Sequence, residues 1–218
     1  MYLKNKQCDI MSQVDAIYSG VGWVVLPDVL NKASTYRLRN MCASMATPTV
    51  IFNQSACVDG DNDKRRRMSM PLKDHLLSDA ITRRLQACGL WCSKCHDISE
   101  VVVVRSDAGC REQWPHTDYN IRRSARPAPL VVLLAIEEDT RMIVSGHGDQ
   151  VHEVTVPVGG MLVLHGGVVH AGAAYTRSNT RIHMYIGAPA SYEGVRATYP
   201  LHTLGTRLAS GWHKRHSS

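Results

Sequence analysis

Two residues that can hold a metal ion stand two positions apart in the stretch QWPHTDY, residues 113–119. Side chains at positions i and i+2 project from the same face of a β-strand, so His116 and Asp118 would point together if this stretch is extended. This pair alone would bind a metal weakly, and a third ligand is required. His170, which lies 52 residues after Asp118, is the best candidate. Two imidazoles and one carboxylate suit non-haem Fe(II), because they leave positions open for a co-substrate and dioxygen.

An arginine follows the third predicted ligand. Arg181 lies eleven residues after His170 and opens the run RIHMYI. On a strand, Arg181, His183 and Tyr185 would share one face, and the apolar residues of the run would share the other. A guanidinium group that faces the interior of a protein is costly unless it is paired. We interpret Arg181 as a binding group for a dicarboxylate, because guanidinium and carboxylate form two parallel hydrogen bonds.

Short strand-like runs dominate the second half of the chain, where the predicted ligands lie. Segments rich in Val, Leu and Ile alternate with turns that contain Gly, Pro, Asp and Asn, and no helix-length pattern interrupts them. This spacing predicts an antiparallel barrel or a double-sheet jelly roll. The predicted strands cover residues 101–105, 130–136, 141–145, 151–156, 161–164, 168–170 and 181–186.

The first half of the chain is predicted to contain one strand and two helices. Residues 20–27 form a short strand closed by proline, and Asp28 is a plausible N-cap of a helix that reaches about Met45. Residues 72–88 carry apolar side chains at helical spacing and predict the second helix. We expect both helices to pack outside the β-rich half.

Composition favours one domain with a substantial core, because the 218 residues are 44% hydrophobic. No apolar run is long enough to span a bilayer, and the N-terminus lacks the apolar stretch of a secretory signal. We therefore expect a cytoplasmic or other intracellular protein, a nuclear location being compatible. The odd number of cysteines, seven, agrees with reduced thiols. The formal net charge of +6 is compatible with an anionic small molecule or a nucleic acid. The oligomeric state is not indicated.

Two further groups of residues could carry chemistry of their own. Cys92-Ser93-Lys94-Cys95-His96 matches the CxxCH pattern of haem c attachment, although the chain has no export signal. Together with Cys88 these residues could hold structural zinc, but their spacing is crowded for a zinc finger, and we prefer a reduced cluster. The basic run Lys64–Arg67 could contact a substrate phosphate or act as a nuclear signal. We prefer a solvated surface loop over the whole polar segment 53–69.

The predicted site residues resemble a known signature. His116-Thr117-Asp118, His170 and Arg181 are similar to the HxD…H…R pattern of the Fe(II)/2-oxoglutarate-dependent dioxygenases. The opening run GWVVLPDVL, residues 22–30, resembles the start of phytanoyl-CoA-hydroxylase-like members. The run over residues 158–172 resembles the strands that deliver their distal histidine.

The resemblance covers about residues 20–190 and implies a fold, a cofactor and a reaction. It implies a mainly β fold with flanking helices around a double-stranded β-helix, that is, a jelly-roll or cupin-like core. His116, Asp118 and His170 would be the catalytic residues that bind Fe(II), and Arg181 would bind the distal carboxylate of the co-substrate 2-oxoglutarate. Such an enzyme consumes O2 and releases succinate and CO2. Hydroxylation is the expected outcome, with demethylation when the hydroxylated carbon is bonded to nitrogen.

We expect one oxygenase domain over residues 1–218. Its helical support would reach about residue 98, its β-helix core would cover about 99–190, and a C-terminal tail would follow over 191–218. Two branches of the superfamily fit less well. AlkB-type demethylases have a second arginine where this chain has Gly187, and collagen-type prolyl hydroxylases use a lysine near the position of Arg181.

The substrate is the open question. Segments 53–70 and 120–128 are predicted to form the mouth of the site, and their basic residues favour an anionic small molecule such as a carboxylate or a CoA thioester. Nucleic acid or protein is the alternative substrate, and no membrane partner is expected. The rival class is a binding module that keeps the metal without turnover or that holds nucleic acid through its basic loops.

Overall fold

The structure, a computed structural model, describes residues 13–47, 49–50, 65–69, 71–113, 115–119, 121, 127–146, 150–187 and 196–200. A helical segment over residues 13–18 comes first. The two longer helices are α1 (Lys32–Ser44) and α2 (His75–Ala87). The strands are β1 (Trp23–Leu26), β2 (Thr49–Val50), β3 (Arg66–Met68), β4 (Asp97–Ser106), β5 (His116–Tyr119), β6 (Leu130–Ala135), β7 (Thr140–Ser145), β8 (Val151–Val156), β9 (Met161–His165), β10 (His170–Gly172), β11 (Asn179–Gly187) and β12 (Arg196–Pro200).

The strands form two antiparallel sheets. The larger sheet has the order β1-β9-β6-β11-β4-β3-β2, and the smaller has the order β12-β5-β10-β7-β8. From β4 to β11, consecutive strands alternate between the sheets, apart from the β7–β8 hairpin, as the chain winds along the core. This arrangement is a double-stranded β-helix, so the predicted mainly β fold with flanking helices is confirmed.

The apolar strands of the larger sheet are buried on both faces. Along β6, Leu130, Val132 and Leu134 pack with helices α1 and α2, whereas Val131 and Leu133 face the smaller sheet. Because successive side chains point to opposite faces, a strand buried on both sides must be apolar throughout. This explains the unbroken valine run of β4 and confirms that the helices pack outside the β-helix.

Each of the two longer helices begins at a polar side chain that caps its backbone. The Asn31 side chain accepts a hydrogen bond from the Ser34 amide at 2.9 Å, and Asp74 caps α2 through the Leu77 amide at 2.9 Å. The prediction that Asp28 caps the first helix was therefore wrong by three residues. Asp28 has φ of 54° and lies in the left-handed region, whereas an N-cap residue is extended.

Two short strands lie where the sequence predicted a loop or a tail. Residues 66–68 form β3, which pairs with β4, so the solvated loop predicted over 53–69 is wrong at its end. Strand β12 pairs with β5 and extends the smaller sheet beyond the expected core limit at residue 190. The rest of the predicted loop, residues 53–64, and most of segment 120–128 lie outside the described residues. Among the helices that are described, none has the length and apolar character needed to cross a membrane.

Candidate functional site

Two neighbouring strands of the smaller sheet bring the three predicted metal ligands together. His116 and Asp118 alternate with Thr117 on β5, and both line the cavity between the sheets. Strand β10 pairs with β5 in a register that sets His170 directly opposite His116. The Asp118 carboxylate lies 3.8 Å from His116 Nε2 and 3.6 Å from His170 Nε2. One ligand atom from each of the three residues therefore falls within 4.8 Å of the other two.

The His170 ring is held in the orientation that a metal ligand needs. Its Nδ1 lies 3.0 Å from the Val168 carbonyl oxygen. Because a carbonyl oxygen only accepts, Nδ1 carries a hydrogen and donates it, which leaves Nε2 as the ring atom that faces Asp118 and that can bind a metal. A backbone hydrogen bond of this kind fixes both the tautomer and the direction of a metal-binding imidazole.

The Asp118 carboxylate is buried among three imidazoles. Its side chain is 4% exposed, and within the described residues its Oδ2 atom has no hydrogen-bond partner. Burial alone would raise the pKa of Asp118, but the charges of His170, His116 and His183 outweigh it and hold this pKa well below its usual range. Burial likewise opposes a charged His170, and Asp118 overcomes this and raises the pKa of that imidazole.

This donor set fits a divalent cation. A buried carboxylate oxygen that accepts no hydrogen bond is costly, and a bound metal ion would compensate for this loss. Two imidazole nitrogens and one carboxylate oxygen match the three-residue site of non-haem Fe(II). In the described part of the chain, no other group of His, Cys, Asp and Glu side chains is close enough to hold a metal.

Arg181 lies in the same cavity, on the larger sheet. It occupies the central strand β11 between β4 and β6, and only 2% of it is exposed. Its Nη1 donates to Ser106 Oγ at 3.0 Å, and its guanidinium lies 5.1 Å from the centre of the Tyr175 ring. Among the residues that the structure describes, no carboxylate pairs with this guanidinium. A buried guanidinium with these contacts has the chemistry to bind an anion.

The remaining cavity wall divides into polar and apolar parts. The cavity has a volume of about 60 Å³. His183 and Tyr185 share it with Arg181, as the alternation on β11 predicted, and His183 Nε2 lies 4.0 Å from Asp118 Oδ2. The apolar wall can exclude water from this space, and its residues are Met68, Val102, Val104, Leu133 and Met142.

A second buried arginine was missed in the sequence. Arg66 on β3 is 1% exposed, and its Nε donates to the same Ser106 Oγ that Arg181 uses, at 3.3 Å. Its Nη2 donates to the carbonyl oxygens of Arg111 at 2.7 Å and Ala173 at 2.8 Å. Arg66 thus connects the larger sheet to the segment before β5, at Arg111, and to the segment after β10, at Ala173. The signal was the alternation in Arg66-Arg67-Met68, in which the middle residue pairs with Asp107 near the surface.

Gln113, three residues before His116, is a further residue of the cavity wall. Its side-chain Oε1 accepts a hydrogen bond from the Gly172 backbone amide at 2.7 Å, and its backbone amide donates to the Gly172 carbonyl oxygen at 2.9 Å. A Cβ atom on Gly172 would lie 2.3 Å from Gln113 Oε1, so the contact requires glycine. Tyr119, the last residue of β5, packs in the apolar core instead of lining the cavity.

The histidine of the CxxCH cluster uses both of its ring nitrogens in hydrogen bonds to the backbone. His96 is buried, its Nδ1 accepts from the Cys92 amide at 3.1 Å, and its Nε2 donates to the Ala128 carbonyl at 2.9 Å. Because both ring nitrogens are engaged, neither is available to zinc or haem iron. The cysteines whose state is described, Cys42, Cys88, Cys92, Cys95 and Cys110, are all free. These findings favour the metal-free reduced cluster.

Comparison with known proteins identifies the fold. No family model and no curated protein matches the chain. A 2OG-Fe(II) oxygenase family oxidoreductase from Burkholderia pseudomallei is similar over 83% of this chain and 89% of its own, with a TM-score of 0.60 and 12% identity. A prolyl hydroxylase from Trichoplax adhaerens, in complex with a hypoxia inducible factor peptide, matches 86% of this chain and 92% of its own (TM-score 0.61, 11% identity).

A third similar structure holds a metal and the co-substrate. HygX from Streptomyces hygroscopicus, with nickel, 2-oxoglutarate and hygromycin B bound, covers 82% of this chain and 87% of its own, with a TM-score of 0.59 and 12% identity. At these identities the likeness shows a shared fold. The protein has the jelly-roll core of the 2-oxoglutarate/Fe(II) oxygenases, and its placement near the phytanoyl-CoA-hydroxylase-like members stays a prediction.

Proposed function

We propose that the protein is an Fe(II)- and 2-oxoglutarate-dependent oxygenase that hydroxylates a small anionic substrate. One observation carries this proposal: a single cavity holds the group His116, Asp118 and His170 on one sheet and the guanidinium of Arg181 on the facing sheet, and no carboxylate among the described residues pairs with that guanidinium. A metal site alone would need no buried arginine, and an anion site alone would need no buried carboxylate.

The protein's part in the reaction is to bind, orient and exclude water. His116, Asp118 and His170 would hold Fe(II), which when bound supplies the oxidative chemistry of this class, with O2 as oxidant and 2-oxoglutarate as the source of two electrons. Arg181 would bind the distal carboxylate through its planar fork. Ser106 and the Tyr175 ring fix the guanidinium before the ligand arrives. The apolar wall of the cavity limits the access of water to the reacting groups.

The charge of the protein indicates the class of substrate. The formal net charge of +6 would attract anions to the protein, and it favours a carboxylated or phosphorylated small molecule. Proteins of similar fold bind small molecules as well as peptides, since HygX binds hygromycin B and the Trichoplax enzyme binds a peptide. We propose hydroxylation because it is the default outcome of this chemistry. Protein or nucleic acid is the alternative substrate.

Turnover of 2-oxoglutarate tests the proposal. We expect the purified protein, supplied with Fe(II) and air, to convert 2-oxoglutarate slowly to succinate without added substrate, as followed by NMR. Asp118→Ala should abolish succinate formation, whereas His75→Ala, a change at an exposed histidine on α2, should leave it unchanged. A folded protein that releases no succinate, alone or with a panel of carboxylates, CoA thioesters, peptides and oligonucleotides, would contradict the proposal.

A further inference from the structure

A tight turn outside the cavity brings two cysteines together. Between α2 and β4, the Cys95 amide donates to the Cys92 carbonyl at 3.0 Å, and the His96 amide donates to the same oxygen at 2.7 Å. A turn closed by such an i to i+3 hydrogen bond holds the two Cα atoms within about 7 Å. A disulfide bond spans Cα atoms that are about 4.4–6.8 Å apart. Both side chains are partly exposed, so a reagent in solution can reach them.

The environment of the Cys92 sulfur favours the thiolate. The Cys95 thiol donates a hydrogen bond to it, the backbone amides of Lys94 and Cys95 point at it, and the Lys94 charge is close. The contact with Cys95 is the largest of these effects, and together they lower the pKa of Cys92. The same contact raises the pKa of Cys95. A thiolate is the form of cysteine that attacks a disulfide, and a neighbouring thiol can then complete the exchange.

The turn is anchored so that the two thiols stay close. The buried His96 ring accepts from the Cys92 amide and donates to the Ala128 carbonyl just before β6. The Trp91 ring packs against the edge of His96, with the ring centres 5.7 Å apart. Cys88, the other cysteine near this turn, is buried, and burial raises its pKa, so it differs from Cys92 in both exposure and reactivity. His96 thus acts as the support of the turn.

We propose that Cys92 and Cys95 form a dithiol site that exchanges with low-molecular-weight disulfides and closes reversibly to an intramolecular disulfide. In the first step, the Cys92 thiolate attacks one sulfur of the external disulfide, forms a mixed disulfide and releases one thiolate. In the second step, the Cys95 thiol loses its proton to water, and its sulfur attacks Cys92 and displaces the second thiolate. The protein loses two electrons and two protons, and the external disulfide becomes two thiols.

The position of Lys94 makes the product easy to detect. Trypsin cleaves after Arg84, Lys94 and Arg105, so Cys92 lies on the peptide 85–94 and Cys95 on the peptide 95–105. We expect the reduced full-length protein, treated with glutathione disulfide and digested without reductant, to give these two peptides as one linked species. Dithiothreitol should separate them. Before oxidation, iodoacetamide at neutral pH should modify Cys92 about tenfold faster than Cys88.

Three variants distinguish this site from other pairings. Cys92→Ser should abolish the linked species, and Cys95→Ser should stop the reaction at the mixed disulfide of Cys92 with glutathione. Cys88→Ala is the matched control, because peptide 85–94 also contains Cys88, and it should leave the linkage intact. Three results would overturn the proposal: a linkage that survives Cys92→Ser, a linkage that is lost in Cys88→Ala, or two thiols that remain fully alkylatable after excess glutathione disulfide.

Discussion

The Ser106 hydroxyl supports the arginine that we propose to bind 2-oxoglutarate, so its removal should weaken that binding while the metal ligands stay intact. Ser106 Oγ accepts from Arg181 at 3.0 Å and from Arg66 at 3.3 Å. A hydrogen bond to a charged group contributes about 1.5–3 kcal/mol. Because part of this energy stabilises the free protein as well, we take the lower limit. About 1.5 kcal/mol corresponds to an approximately tenfold rise in the Kd of 2-oxoglutarate in Ser106→Ala.

The assay is an anaerobic titration of the Fe(II)-loaded protein with 2-oxoglutarate, followed by calorimetry. The matched control is Ser69→Ala, because Ser69 is also a buried serine of this region, and its Oγ accepts a hydrogen bond from the Val103 amide at 3.0 Å. Both variants should lose about 1–3 kcal/mol of unfolding free energy. Only Ser106→Ala should raise the Kd. Equal Kd values in both variants and the wild type would refute the role assigned to Ser106.

Three further predictions address the anion site, the backbone beside the metal ligands and a helix cap. Arg181→Lys keeps the charge but loses the fork, so calorimetry should show a Kd for 2-oxoglutarate between those of the wild type and Arg181→Gln, with the latter at least about 100-fold weaker than the wild type. Gly172→Ala places a Cβ atom 2.3 Å from a glutamine oxygen and should lower thermal stability and Fe(II) affinity, whereas Gly187→Ala, with no neighbour within 4 Å, should change neither. The pKa of Asp74 is lowered chiefly by the hydrogen bond that its carboxylate accepts from the Arg37 side chain. The ionised carboxylate therefore stabilises the fold at pH values above its unfolded pKa of 3.8, and this stabilisation is lost as the pH falls through the lower pKa of the folded state. Asp74→Asn keeps the cap acceptor and should be less stable than the wild type by about 0.5 kcal/mol at pH 7, with the difference shrinking toward pH 3 in denaturant titrations.

The sequence predicted the strands of the core well because their apolar runs are long and separated by clear turn residues. The predicted strand over residues 151–156 has the bounds of β8, and those over 130–136 and 141–145 differ from β6 and β7 by one residue. The helix start was missed because Asp28 and Asn31 are both good caps, and only the tertiary turn that places Asp28 at positive φ decides between them.

The buried arginine and glutamine beside the site could not be predicted with the same ease. A run of basic residues normally marks a solvated surface, and the alternation over residues 66–68 indicates a buried arginine only once these residues are known to form a strand beside β4. Gln113 acts through the backbone of Gly172, a residue 59 positions later, and such a contact leaves no periodic pattern in the sequence. The site residues on β5 and β11 could be predicted, by contrast, because alternate residues of any strand share one face.

One measurement tests the central claim most directly. Fe(II) and then 2-oxoglutarate are added to the protein without oxygen, and the visible spectrum is recorded for the weak metal-to-ligand charge-transfer band of a chelated keto acid. We predict the band in the wild type and in His75→Ala, its loss in His116→Ala and His170→Ala, and a higher 2-oxoglutarate requirement in Arg181→Gln. If the folded wild-type protein shows no band, or if His116→Ala retains it, these residues do not form the proposed iron site.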